Sequence, residues 1–223
     1  YDYVASISGD VTNTFLQVFP SLAPKIVEIE NILSPTFVRK RAELQNVDKE
    51  IRHEGTITLL SVGRFSDAKN YDNVPDICKR LINETKLNIK WYIIGYGGDE
   101  ALIRKKIKEA GMEEHVILLG KRSNPYPYIK ACDIYVQPSR YEGKSVTVRE
   151  AQMLCKPVVV TNYPTAPSQI RSGIDGVIVP MDNEGCAHGL AEVICDKPLQ
   201  ERIIAHLKTH DYGNESEVEK IYT

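Results

Sequence analysis

Apolar and polar positions recur along the chain in one order: a short apolar run, a turn, then a segment with apolar residues at helical spacing. Six runs, "TITLLSVG" (56–63), "NIKWYIIG" (88–95), "HVILLG" (115–120), "DIYVQPS" (133–139), "PVVVT" (157–161) and "GVIVP" (176–180), are nearly continuous in Val, Ile, Leu and Tyr. Runs of that kind are strands buried on both faces. Segments 70–83, 99–110, 124–131, 146–155, 165–172 and 184–195 lie between them with helical patterning. Strands alternating with helices pair in parallel through right-handed crossovers, which predicts an α/β fold with a doubly wound, Rossmann-like parallel sheet over residues 55–196.

The flanks carry weaker patterns. "YDYVASIS" alternates, 12–19 has helical spacing, and "KIVEIENIL" reads as another strand. Residues 34–54 are polar and charged, a partly helical connector with Pro35 as a breaker. Residues 1–54 are therefore expected to be the close of a preceding α/β unit plus its linker, as in a piece of a longer protein. Residues 197–223 form a tail with two short helical patterns and too little apolar surface to stand alone. They are expected to pack on a neighbour.

Composition removes several function classes. A net charge of −2 gives no reason to expect nucleic acid or an anionic membrane as partner. Cys78, Cys132, Cys155, Cys186 and Cys195 are scattered and contain no CxxC pair, which points to reduced thiols in a cytosolic protein. No run of about 18 apolar residues and no charged-then-apolar leader occurs, so neither a transmembrane helix nor a signal peptide is encoded in these residues.

Ligands of open α/β sheets bind beyond the carboxyl ends of the strands, where helix N-termini offer free N–H groups. In "SVGRFSDAKN", Gly63 allows a close turn, and Arg64 and Lys69 place two cations in one loop, an arrangement suited to a diphosphate. The competing reading is two solvated surface cations. "IIGYGGDE" departs from the dinucleotide fingerprint, because Glu100 stands where the third glycine belongs; it reads as a tight turn near the site. In "LLGKRSNP", Lys121 and Arg122 follow a strand directly, either in a loop whose backbone meets a nucleotide base or in an ordinary turn.

The fourth turn, "SRYEGKSVTVREAQMLCKPVVVT", holds Glu142 in a loop and Glu150 in the second turn of a helix beginning near Val146, with Ser145 as N-cap. Glu150 shares a stripe with Val146 and Leu154, and a carboxylate on an apolar stripe must find donors or protonate. Its partner is either a basic side chain, Arg149 or Arg171, or the hydroxyls of a vicinal diol.

Glu142 and Glu150 form E-x7-E, with GR-x4-KN upstream and "KPVVVT" plus G-x-x-G-V-I-V-P downstream. In that order these motifs resemble the C-terminal, donor-binding half of a family-4 retaining glycosyltransferase of the GT-B fold. The resemblance implies that Arg64 and Lys69 bind the nucleotide diphosphate and offset charge on the departing phosphate. It implies that Glu150 binds the ribose and Glu142 the donor sugar, with the backbone of Gly143, Lys144, Ser145 and Val146 facing sugar and phosphate. Arg64, Lys69 and Glu142 would be the catalytic set. The substrate implied is a UDP- or GDP-linked sugar, with no cofactor and no metal, in keeping with the absence of any D-x-D. A glycan or lipid-linked acceptor would be taken through an N-terminal domain outside this chain, at the inner face of a membrane. Lys144 and Ser145 depart from the commoner E-G-F-G; Lys144 is either a third phosphate cation or solvated. None of His53, His115, His188, His206 and His210 stands at a motif position. A nucleotide-sugar epimerase and a non-catalytic nucleotide-binding partner of another transferase are the rival readings.

Overall fold

The computed structural model describes residues 2–221. The chain opens with β1 (Val4–Ser6), α1 (Gly9–Val18) and β2 (Ile26–Glu28), and β1 and β2 pair in parallel as a separate two-stranded sheet. Two helices then cross toward the main sheet, α2 (Pro35–Ala42) and α3 (Asp48–Ile51). Pro35 starts a helix rather than breaking one: it occupies the first turn of α2, where its missing N–H is no loss, and the Ser34 hydroxyl caps the Phe37 N–H.

The main sheet follows as β3 (Thr56–Val62), α4 (Val74–Thr85), β4 (Asn88–Ile94), α5 (Glu100–Ala110), β5 (Val116–Gly120), α6 (Tyr126–Ala131), β6 (Ile134–Gln137), α7 (Val146–Met153), β7 (Val158–Thr161), α8 (Ala166–Gln169), β8 (Val177–Val179) and α9 (Asn183–Cys195). Its strands are all parallel, in the order β5-β4-β3-β6-β7-β8. The six predicted strands are present within two residues at each end.

Period-two alternation explains why those strands read as continuous apolar runs. Leu59, Trp91, Ile93, Ile134, Val136 and Val159 face one core with α4, α5 and α9. Their chain neighbours Leu60, Tyr92, Ile94, Tyr135, Val158 and Val160 face the other, with α3, α6 and α7. Both faces are covered, so both sets are apolar.

Helix α8 is shorter than the expected 165–172 segment. Ile170 is extended, and Asp175 then accepts from both the backbone N–H and the Nε of Arg171, turning the chain away from the helix. The tail forms α10 (Lys197–Thr209), which buries Ile203 and Leu207, and continues as a 3-10 segment at Glu215–Ile221. The neighbour it packs on includes its own chain. Asn214 Oδ1 accepts from the Leu33 N–H at 2.8 Å and Glu217 Oε2 from the Glu30 N–H at 3.1 Å, which ties the tail to the 30–33 crossing. Among the described residues no helix is long and apolar enough to cross a membrane.

Candidate functional site

The strand order reverses between β3 and β6, because β4 lies on the outer side of β3 and β7 on the outer side of β6. A crevice opens at the carboxyl ends of two strands that diverge in this way. Two loops lead into it, residues 63–73 after β3 and 138–145 after β6.

Glycines set the first loop. The Gly63 N–H donates to the Ile94 carbonyl and the Phe65 N–H to the Tyr96 carbonyl, so the loop lies directly on the turn after β4. A Cβ at Gly95 would fall 1.9 Å from the Gly63 carbonyl oxygen, and one at Gly97 2.2 Å from that of Phe65. The glycine-rich turn "GYGG" is therefore a buttress under the candidate phosphate loop. It is more than a turn near the site. A Cβ at Gly63 would meet the Tyr71 hydroxyl at 2.8 Å, and Asn70, at φ 60°, takes the left-handed conformation that turns the chain into α4.

The loops meet at Lys69 and Glu142. Glu142 Oε1 accepts from Lys69 Nζ at 2.6 Å, Ser139 Oγ at 2.6 Å and Gln137 Nε2 at 2.9 Å. Gln137 is fixed by Tyr135, whose hydroxyl donates to its Oε1 at 2.8 Å, and the Glu142 carbonyl accepts from Thr165 Oγ1. Every side-chain donor bonds Oε1, and Oε2 accepts no hydrogen bond among the described residues. The Tyr71 hydroxyl is buried beside this cluster with no hydrogen-bond partner among the described residues, and burial, with the Glu142 charge, pushes its pKa up. Arg64, by contrast, is exposed and makes no hydrogen bond or ion pair among the described residues.

Ser145 takes the N-cap position of α7, but its hydroxyl reaches Thr147 Oγ1 rather than a helix N–H. Its backbone is clamped from outside the helix: the Ser145 N–H donates to Gln169 Oε1 at 2.8 Å, and Gln169 Nε2 donates to the Ser145 carbonyl. Lys144 does not simply point to water. Its ammonium pairs with the Glu30 carboxylate, linking the loop to the crossing after β2.

Glu150 sits apart from Lys69 and Glu142, buried on α7, and among the described residues its one side-chain hydrogen-bond donor is the Tyr126 hydroxyl at 2.8 Å. Neither basic candidate reaches it, since Arg149 NH1 donates to Gln152 and Arg171 pairs with Asp175. Burial raises the Glu150 pKa and the Tyr126 hydrogen bond opposes the rise. A hollow of about 330 Å³ adjoins this carboxylate, walled by Phe37, Val38, Tyr126 and residues 31–34. Arg122 turns away from the crevice, bonding Tyr128 Oη at 3.0 Å and Glu50 at 2.9 Å, and Lys121 lies 5.0 Å over the Tyr96 ring. The structure thus brings Gly63, Lys69 and Glu142 together, sets Arg64 on the same loop, and leaves the Arg122 side chain to brace α3 against α6.

Tyr71, Ser139, Gln137 and Gln169 were not legible as site residues. Gln169 acts on Ser145 across 24 residues of sequence, whereas Ser139 and Gln137 reach Glu142 from three and five positions away as uncharged side chains, which a search for cations and carboxylates passes over. Among the described residues no group of three or more His, Cys, Asp or Glu side chains could hold a metal ion.

Residues 44–210, well over half of the chain, match the family described as "Glycosyl transferases group 1", and the chain belongs to that family. It is 28% identical over 194 residues to a Campylobacter jejuni N-acetylgalactosamine-N,N'-diacetylbacillosaminyl-diphospho-undecaprenol 4-alpha-N-acetylgalactosaminyltransferase, covering 85% of this chain and 50% of that protein. It is 26% identical over 212 residues to the amylovoran biosynthesis glycosyltransferase AmsD of Erwinia amylovora, covering 87% of this chain and 60% of that one. Among solved structures, HepE of Anabaena in complex with UDP and glucose superposes with a TM-score of 0.81 at 18% identity, over 99% of this chain and 62% of that chain. TarM of S. aureus, solved as a mutant with Fondaparinux, alpha-GlcNAc-glycerol and UDP, gives 0.78 at 20% identity, over 99% and 43%. The fold expected from the resemblance, one half of a GT-B glycosyltransferase, is the fold observed. The chain spans about half the length of the curated relatives it matches.

Proposed function

We propose that this chain is the donor-binding half of a retaining, metal-independent glycosyltransferase that uses a nucleotide-diphosphate sugar. The observation that carries the reading is the Lys69–Glu142 pair at the sheet crossover, with the unpartnered Arg64 on the same loop and a buried, cation-free Glu150 on the helix that follows. Two cations on one loop suit a diphosphate, and Lys69 is partly buried and held in place by Glu142. Glu142 Oε2 accepts from a donor-sugar hydroxyl, and Glu150, held by Tyr126 alone, accepts from the ribose diol. The backbone of Gly143 to Val146 faces sugar and phosphate, and the loop after β5, with Lys121 and Arg122, meets the base through its main chain.

Charge develops on the departing diphosphate as the glycosidic bond breaks through an oxocarbenium-like state. Arg64 and Lys69 stabilise it, and fixed charges in a partly desolvated crevice do so without reorganising. In this reading residues 1–54 close an acceptor-binding half, residues 55–196 take the donor, and 197–223 strap the two. The acceptor is a glycan or lipid-linked glycan, worked on at the cytoplasmic face of a membrane.

Calorimetric titration with UDP, GDP, ADP and NAD, without metal and then with magnesium, tests the donor reading. Saturable binding of one nucleoside diphosphate without metal is expected, UDP first in view of the UDP-bound neighbours. Binding to none of them by a chain that melts cooperatively would sink it.

A further inference from the structure

A cavity of about 480 Å³ opens between the start of α7, the 30–33 crossing and tail residues 210–214, larger than the hollow beside Glu150. Lys144, Ser145 and Arg149 line it, whereas Arg64, Lys69, Glu142 and Glu150 do not. It adjoins the loop that faces the donor, sharing Lys144, Ser145 and Val146 with it, while the side chains assigned to diphosphate, ribose and donor sugar lie outside it.

Two of its groups are unmatched. Arg149 is the first: its guanidinium donates through NH1 to Gln152 Oε1 at 2.9 Å, lies 5.3 Å over the Tyr212 ring, and pairs with no carboxylate among the described residues. Burial accordingly pushes its pKa down. The second is the Tyr212 hydroxyl, buried against the Arg171 guanidinium, which can only donate to it, so that the hydroxyl proton has no acceptor among the described residues. The acidic groups around the cavity are engaged elsewhere: Glu30 with Lys144, Asp175 with Arg171, and Asp211 with the Gly213 N–H at 2.8 Å. Buried cations and hydroxyls in native proteins are normally satisfied. A guanidinium without a carboxylate and a hydroxyl proton without an acceptor, both in the lining of one cavity of a volume typical of ligand sites, suit a ligand that brings acceptor oxygens.

We propose that this cavity is a subsite for an oxyanion of the acceptor, held by Arg149 and Tyr212 beside the donor loop. The proposal rests on the glycosyltransferase reading for the identity of the ligand, and on Arg149 and Tyr212 for the site itself. A phosphoryl group and a sugar carboxylate share the chemistry, and the two arms of the test separate them.

The full chain, saturated with UDP, is titrated calorimetrically with inorganic pyrophosphate and, separately, with glucuronate. Binding of one of them in the presence of UDP is expected. Arg149→Met should weaken it about tenfold or more, with Arg149→Lys recovering part of the loss and UDP affinity changing less than about twofold. Tyr212→Phe keeps the ring under Arg149 and so guards against a folding artefact; about threefold weakening is expected from the lost hydroxyl. Displacement of the oxyanion by UDP, equal binding by Arg149→Met and wild type, or no binding of either oxyanion overturns the subsite. Arg149-dependent pyrophosphate binding by a chain that takes no nucleoside diphosphate leaves the subsite standing and removes the donor reading, whereas UDP binding alone removes only the subsite.

Discussion

Lys69 and Glu142 meet at 2.6 Å across the crevice between the loops after β3 and β6, and the same Glu142 oxygen takes the donors of Ser139 and Gln137. On the proposed reading, the cation that would meet the phosphate is held by an internal carboxylate in the free chain. Glu142→Gln removes the competing charge without removing the oxygen. UDP affinity is expected to stay level or to rise, while transfer by the full-length enzyme falls. Lys69→Met should lose about tenfold to a hundredfold in UDP affinity, the effect of one charged hydrogen bond of roughly 1–3 kcal/mol. Calorimetry with both variants checks the pair, and equal UDP affinity of Lys69→Met and wild type would exclude Lys69 from the phosphate site.

Glu150 predicts a trade between stability and binding. Its folded pKa is raised above the ordinary 4.5, mainly by burial, so the folded state favours the protonated form. That stability is fully present below the unfolded pKa and is lost as pH rises through the folded pKa. Glu150→Gln resembles the protonated state. It should be the more stable protein at pH 7, with the gap closing near pH 4. Nucleotide affinity should fall in the same variant. Thermal melts at the two pH values, with UDP titration alongside, measure both, and a variant less stable at pH 7 than at pH 4 relative to wild type would contradict the sign.

The glycine buttress gives a paired comparison. Gly95→Ala places a methyl group 1.9 Å from the Gly63 carbonyl oxygen, whereas a Cβ at Gly98 meets nothing within 4 Å. Gly95→Ala is expected to cost about 1–3 kcal/mol and to lower UDP affinity by shifting the Arg64 loop; Gly98→Ala should be close to neutral. Chemical denaturation of the two variants decides it, since similar destabilisation would show that the close approach is not what holds the loop.

Asn214 fastens the tail to the crossing through Oδ1 to the Leu33 N–H and Nδ2 to the Asn31 carbonyl. Asn214→Ala should speed amide exchange at Leu33 by about tenfold while amides of β3 and β4 stay protected, because local opening costs less than global unfolding. Hydrogen exchange read residue by residue is the check, and an unchanged Leu33 amide would mean the backbone pairing of Asn214 with Leu33 suffices.

The sequence by itself determined the elements and the loops that carry chemistry. Strand runs such as "KWYII" and "VVV" reach both cores by simple alternation, a property local to each strand, and the turns holding Arg64, Lys69 and Glu142 fall at strand ends because turn chemistry is also local, with Glu150 on the helix that follows. The order β5-β4-β3-β6-β7-β8, and with it the crevice, follows from how the crossovers pack and is written in no single segment. Only the tertiary structure decided that Lys144 pairs with Glu30 instead of water, that Glu150 answers to Tyr126 instead of a nearby arginine, and that Arg122 braces Glu50 and Tyr128. Each of those contacts joins residues on different elements. Which of several nearby groups a charged side chain selects depends on burial and distance, and both are set only when the layers close over the sheet.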